Sequence, residues 1–482
     1  MSTKVEKVMS KMITISPVSR LEGHGKVTIH LDENNKVAES RFHVLEFRGF
    51  EKFCEGRLMS EMPVITTRIC GICPVSHHLA SVKACDDALG VDIPPAAKKL
   101  RELMHMGQFI HSHALHFFYL SAPDFVLGPA SDPAKRNILG IIEADPDLAK
   151  KAIRLRKFGQ NIVERVGGRA IHPVTAIPGG MSKPLSHEDR FVTSKELDDG
   201  LELARLALQI GKGVFEKYAE IVPRFAAIKT KYMGLVKDGN LELYDGRLRI
   251  INEDGKRLDE FDPKNYLEFL GEHVEDWSYM KFPFYKKYGY PKGLYRVAPL
   301  ARLNVVEAIS TPIANKELVE FKKLGGGHPV HETLYYHYAR LIELLYAVER
   351  AQELIHDDEI VSEDVRVKVD RRKGEGVGVI EAPRGTLIHH YWADDSGKIE
   401  RANIIVATAH NNAAINRSVN EVAKEFVKGG KIEEGALNMV EMAVRCYDPC
   451  LSCATHALGQ MPLEIALLDA DGKVVDTVER SI

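Results

Sequence analysis

Two stretches decide how this chain is read: Arg68-Ile69-Cys70-Gly71-Ile72-Cys73 near one end and Asp448-Pro449-Cys450-Leu451-Ser452-Cys453 near the other. Two cysteines separated by two residues at a turn or helix start can aim both sulfurs at one ion, and N–H groups at a helix end favour the thiolate. Two such pairs make a pocket of four thiolates, which suits zinc, an iron-sulfur cluster or a softer transition-metal centre. Zinc ribbons close pairs about 15 to 20 residues apart, whereas these pairs stand at opposite ends of 482 residues. That separation favours a buried functional centre over a staple for a small subdomain. A thioredoxin-like use of one pair is disfavoured too, because neither is flanked by a compact βαβ pattern.

The surrounding composition narrows the setting. Hydrophobic residues make up 45% and charged residues 28%, as in an ordinary folded protein, and the length allows up to about three domains. Lysine and arginine number 65 against 68 acidic residues, so no basic excess draws in a nucleic acid. Seven cysteines, an odd number, do not describe a secreted disulfide scaffold. No run approaches the roughly 20 apolar residues of a membrane span, and the first residues lack a signal peptide's apolar core. A cytoplasmic protein without a transmembrane segment is expected. No Gly-x-Gly-x-x-Gly follows a strand, and Gly325 to Gly327 read as a loop before a helix, which disfavours direct nucleotide binding.

Hydrophobic periodicity predicts strands over 12–46, where Val27, Ile29 and Leu31 alternate and Asp32-Glu33-Asn34-Asn35 supplies a turn. Helical spacing covers Ser76 to Leu89 with Gly90 as the stop, then 96–120, then 147–166 opened by Asp145-Pro146. Another helix runs from Leu334 to His356 with one mostly apolar face. The charged, glycine-bearing segments 235–262 and 363–378 read as surface excursions, with hairpins as one form for them, and Leu463 to Val478 as a terminal hairpin. The expected fold class is an α-rich α+β unit with long central helices, a small N-terminal sheet and peripheral β segments.

Five ordered motifs then give a family resemblance: Arg20-Leu21-Glu22-Gly23-His24, Phe47-Arg48-Gly49-Phe50-Glu51, the two cysteine motifs, the second extended to Ala454-Thr455-His456, and Ala382-Pro383-Arg384-Gly385. Together they resemble the large subunit of nickel-iron hydrogenases, from about residue 12 to the C-terminus. The resemblance implies nickel held by four sulfurs, Cys70 and Cys450 as terminal ligands, and Cys73 and Cys453 bridging to an iron that carries carbon monoxide and cyanide. Heterolytic splitting of dihydrogen needs a hydride acceptor beside a proton acceptor. Glu22 matches the family's proton-transfer glutamate; read alone it would pair with Arg20 or Lys26. Arg384 matches a guanidinium poised over the metals, with Pro383 beside it, Thr408 a hydroxyl donor to cyanide, and Asp448 an acid above the centre. His77 matches a histidine donating to a cysteine sulfur, and Glu51, the carbonyl of Ile404 and His456 match ligands of a magnesium ion.

The sequence departs from many respiratory members at His111-Ser112-His113, where they place an acid between the histidines, and at Ala407, where they place proline. Cys-Pro-Val-Ser-His-His and Glu-Phe-Arg-Gly-Phe-Glu-Lys-Phe-Cys look most like the cytoplasmic, bidirectional NAD(P)-linked subgroup. Cys54, Cys85 and Cys446 are too few for a further four-cysteine cluster. Electrons would therefore leave through a small iron-sulfur subunit, with a flavin and iron-sulfur diaphorase module beyond it, as the resemblance implies. It also implies one catalytic unit over 1–456, β in 12–46 and mainly helical in 47–456, with 457–482 removed by a maturation protease once nickel is loaded. A dihydrogen-sensing relative, a deazaflavin- or heterodisulfide-linked hydrogenase and a quinone-reducing respiratory relative are the competing readings. The tail argues against the sensor and the four cysteines against the respiratory relative.

Overall fold

The computed structural model describes residues 12–369, 374–428 and 433–454, together with the backbone of two strands beyond them. Strands β1 (Met12–Ile15), β2 (Gly25–Leu31) and β3 (Val37–Val44) form the expected antiparallel N-terminal sheet. Its alternation buries Val27, Ile29, Phe42 and Val44 on one face. Helix α1 (Pro74–Leu89) ends at Gly90, whose φ of 61° is the left-handed stop the sequence predicts. Helix α2 (Pro95–Leu115) continues into one wide π-type turn over His116–Ser121. Helix α3 (Pro146–Gly167) starts where the Asp145 side chain accepts the Leu148 N–H at 2.9 Å. Helix α4 (His187–Lys217), which the periodicity reading passed over, is 31 residues long.

The middle of the chain is more sheet-like than the sequence suggests. Strands β4 (Lys231–Lys237), β5 (Arg247–Ile251) and β6 (Arg257–Phe261) pair antiparallel. After a separate hairpin of β7 (Leu270–Glu275) and β8 (Ser278–Tyr285), the short β9 (Tyr295–Arg296) joins β4 in parallel. Helices α5 (Pro299–Val305) and α6 (Tyr336–His356) follow. Then β10 (Gly374–Ala382), β11 (Gly385–Ala393) and β12 (Ile399–Ile405) form a second three-stranded antiparallel sheet. Helices α7 (Ala407–Phe426) and α8 (Glu434–Cys446) lead to the second cysteine pair. The terminal hairpin is present as β13 (Leu463–Leu468) and β14 (Val474–Arg480) in antiparallel register.

Two expectations are corrected. Residues 235–262 are not a surface excursion: Leu235, Val236, Leu248 and Ile250 are buried, and β4 and β5 share an apolar core with Val377, Val379, Ile388 and Ile405 of the second sheet. Of the second segment, 363–369 is mostly exposed as expected and 370–373 lies outside the described residues, but 374–378 is not a surface excursion. A Cβ on Gly374, Gly376 or Gly378 would stand 2.4, 2.1 or 2.0 Å from the carbonyl oxygens of Ala88, Ala84 and Ala80. The glycine face of β10 thus lies directly on the alanine face of α1, a close approach that only missing Cβ atoms permit. This register also positions the site: β10 runs from the end of α1 towards its start, so the turn after Ala382 arrives beside Cys73.

Helix α6 differs from its prediction as well, since nearly all of it is buried, including Arg340, Glu343 and Glu349. A helix with charges sealed on every side is a central strut of a large core, not an amphipathic cover. No helix among the described residues is long and apolar enough to cross a membrane.

Candidate metal centre

Cys70 follows a 3₁₀ turn over Thr66–Ile69, and Cys73 stands at the cap position of α1. The Cys70 sulfur accepts backbone N–H groups from Ile72 at 3.3 Å and Cys73 at 3.5 Å, which favours its thiolate. The second pair is delivered by backbone pairing with the N-terminal arm. Glu22 and Cys450 form an isolated parallel bridge, and the Leu451 N–H donates to the Glu22 carbonyl at 3.0 Å. Gly23 is needed there, because its φ is 82° and a Cβ would meet Leu451 Cβ at 2.8 Å.

The four sulfurs converge. Cys70 and Cys450 are 3.2 Å apart, Cys73 and Cys453 3.5 Å, and Cys450 and Cys453 2.9 Å. All four lie within 4.8 Å of one another, buried and without a disulfide. Burial pushes the thiols of Cys450 and Cys453 well up, while hydrogen bonding from the Cys450 sulfur holds Cys70 well below the usual thiol range. Four buried thiolates at this spacing repel one another unless a cation sits among them, so the donor set fits a soft metal centre.

The other expected residues surround this cluster. Oε2 of Glu22 lies 3.1 Å from the Cys450 sulfur and accepts the Ser452 N–H at 2.9 Å, while its other oxygen accepts the Ser452 hydroxyl. Arg20 pairs instead with Asp124, so the simple Arg20–Glu22 ion pair is not formed. Arg384 sits in the two-residue turn between β10 and β11, donating to Asp448 Oδ1 at 3.0 Å and to Ser112 Oγ at 3.4 Å. Burial opposes its charge, but Asp448 and the sulfurs of Cys450, Cys73 and Cys70 outweigh it. Burial pushes the Asp448 carboxyl up to about 6 against the pull of Arg384 and Arg340. Ser112 thus meets the Arg384 guanidinium with a hydroxyl, from its place between His111 and His113.

Thr408, in the first turn of α7, accepts the Cys450 N–H at 2.9 Å through its hydroxyl, leaving its own proton to point elsewhere. Beside Cys73 and Cys453 a small cavity is walled by Ala382, Leu387, Val406 and Ala407, with Arg384 and Thr408 as its donors. Pro383 is not among the lining residues; its carbonyl accepts from Arg302 at 3.3 Å. Nε2 of His77 is 3.3 Å from the Cys453 sulfur, and its Nδ1 is 3.0 Å from Nε2 of His389. His389 Nδ1 in turn meets the Tyr391 hydroxyl at 2.5 Å, which donates to Ser81 at 2.9 Å. The sequence reading missed His389, Tyr391 and Ser452. The strand alternation of 387–391 puts His389 and Tyr391 on one face, but nothing local says that α1 lies there.

Glu51 and Ile404 are brought together, with the Ile404 N–H donating to Glu51 Oε1 at 2.7 Å. That bond uses the amide of Ile404 and not the carbonyl assigned from the resemblance. His456 lies outside the described residues.

Comparison with known proteins agrees with this geometry. The family model described as nickel-dependent hydrogenase matches residues 48–135 and 250–456, and one described as HoxL-like matches 12–47. The chain is 52% identical over 416 residues to a subunit of the F420-non-reducing hydrogenase vhu of Methanocaldococcus jannaschii, covering 86% of this chain and 99% of that protein. It is 45% identical over 484 residues to the beta subunit of the NAD-reducing hydrogenase HoxS of Cupriavidus necator, covering 97% and 99%. A solved NAD+-reducing [NiFe]-hydrogenase in its H2-reduced state superposes with a TM-score of 0.90 at 46% identity, covering 93% of this chain and all of that one. The Ni-Fe-Se hydrogenase of Desulfovibrio vulgaris Hildenborough superposes at 0.77 with 25% identity, covering 92% and 100%. Four convergent cysteines in the same fold, with a matching sequence around them, place this chain in the nickel-dependent hydrogenase family as a large, catalytic subunit.

Proposed function

We propose that the chain catalyses the reversible reaction of dihydrogen to two protons and two electrons, with Glu22 as its proton acceptor. The observation that carries this reading is the 3.1 Å approach of the Glu22 carboxylate to the sulfur of Cys450, inside a buried four-sulfur cluster. Cys70, Cys73, Cys450 and Cys453 would together hold nickel and iron, their four sulfurs lying within 4.8 Å of one another. When bound, the metals supply the electron-pair acceptor that a heterolytic split requires. Arg384 holds a fixed positive charge over the site, and Asp448 orients it. Arg384 and Thr408 offer donors to the small cavity beside the cysteines, which Ala382, Leu387, Val406 and Ala407 wall on its apolar side, and this supports small ligands such as cyanide and carbon monoxide on iron. His77 donates towards Cys453 and tempers its charge. Glu51, Ile404 and His456 are proposed around magnesium.

Electrons pass to a small iron-sulfur subunit, then through a flavin-bearing diaphorase module to NAD(P) in the cytoplasm. The NAD-reducing relative supports this acceptor. The 52% identity to part of an F420-non-reducing hydrogenase favours a second reading, an acceptor other than a pyridine nucleotide. Residues 457–482 are proposed to be removed by a maturation protease after nickel loading.

The test is nickel and iron content of the complex from its native source, with exchange between dihydrogen and D2O. Nickel and iron near one each, exchange lost in Cys70→Ala without loss of fold, and NAD reduction by dihydrogen would uphold the whole reading. Zinc alone would overturn it, and dihydrogen reducing a viologen but not NAD(P) would move the acceptor to the second reading.

A further inference from the structure

Arg302, on α5, is fully buried and lies outside the cavity beside the cysteines. Its guanidinium has five N–H donors in a rigid fork, and all five are used. Nε and Nη2 each donate to the Glu343 carboxylate at 2.6 Å. Nη1 donates to Glu381 Oε2 at 2.8 Å and to the carbonyl of Ala382 at 2.9 Å. The remaining Nη2 proton goes to the carbonyl of Pro383 at 3.3 Å. Ala382 and Pro383 are the two residues before Arg384, so the fork grips both peptide oxygens that aim the turn.

The acids are themselves held. The second oxygen of Glu381 accepts the Leu235 N–H at 3.0 Å and the Thr386 hydroxyl at 2.9 Å, tying the fork to β4 and to the far side of the same turn. Glu343 also meets His113 Nε2 at 3.1 Å, and His113 follows the Ser112 that receives Arg384. Helices α2, α5 and α6 and the hairpin of β10 and β11 therefore meet at one guanidinium. Gly385 pins the turn from the other side, since a Cβ there would stand 2.3 Å from Val297 Cγ2.

We propose that Arg302 is a positioning residue: its five-bond fork fixes the Ala382–Pro383 peptides so that Arg384 is held over the metal site. This rests on the proposed function for the role of Arg384, but the brace itself does not. A lysine keeps the charge and one or two bonds, and loses the fork.

The test uses the full chain in its native complex, comparing Arg302→Lys, Arg384→Lys and the double variant for metal content, turnover and deuterium uptake of peptides spanning 382–388. Arg302→Lys is expected to keep nickel and iron, to lose turnover by about 100-fold, the cost of a misplacement near 1 Å, and to exchange 382–388 faster. If Arg302 acts through Arg384, the double variant is no slower than Arg384→Lys alone. Wild-type turnover in Arg302→Lys, losses that multiply in the double variant, or unchanged uptake over 382–388 would each overturn the proposal. Should Arg302→Lys not fold, Thr386→Val removes only the hydroxyl from Glu381. A several-fold loss there that vanishes on Arg384→Lys supports the brace, and no loss or a multiplying one overturns it. A wild-type complex without any turnover would sink the proposed function, while deuterium uptake would still decide the brace.

Discussion

Nη2 of Arg384 donates to Oδ1 of Asp448 at 3.0 Å, both side chains buried, and this bond joins the tight turn of one sheet to the residue two places before Cys450. Replacing Asp448 with alanine leaves a buried guanidinium without its carboxylate. Such a loss costs about 3–5 kcal/mol, so the urea midpoint of Asp448→Ala should fall well below that of Asp448→Asn, which keeps an oxygen acceptor.

Glu22→Gln keeps the shape that receives the Ser452 N–H but cannot take a proton as a carboxylate does. Exchange of dihydrogen with D2O is expected to slow by about 100-fold or more, with nickel and iron still bound. Unaltered exchange would assign proton transfer to another group.

Gly385 has a φ of 126° and no room for a Cβ beside Val297 and the Ala298 amide. Gly385→Ala should cost about 1–3 kcal/mol in backbone strain alone and displace Arg384. Thermal unfolding and turnover should both decline, whereas Gly397→Ala at an open turn should lose stability only.

Burial lowers His78 to about 4 and His105 and His410 to about 3. Their unfolded value is near 6.5, so between the two the unfolded chain binds more protons and stability rises with pH. It is complete above pH 6.5 and lost as the pH falls to about 4 for His78 and about 3 for His105 and His410, by about 1.4 kcal/mol per pH unit for each histidine. Urea unfolding across that range should show the slope, and replacing His410 with glutamine should reduce it by one proton.

Much of this was legible in the sequence because it is local. Cys-x-x-Cys at a helix start identified both halves of the ligand set, since two residues of spacing suffice to aim two sulfurs at one ion. The 3.6-residue period and Gly90 bounded α1, and the period of two gave the N-terminal sheet. The segments misread as surface were misread for a physical reason. Gly374, Gly376 and Gly378 look like turn residues until α1 is laid against them, when their missing side chains become the fit.

What the sequence by itself determined is the chemistry available: four thiolates, a carboxylate, a guanidinium and helices to carry them. What only the tertiary structure decided is their meeting. The Glu22–Cys450 bridge, the His77–His389 pair and the Arg302 fork each join residues far apart in the chain. No local spacing constrains such pairs; packing of the whole core brings them within hydrogen-bond reach, and burial then makes each polar partner obligatory.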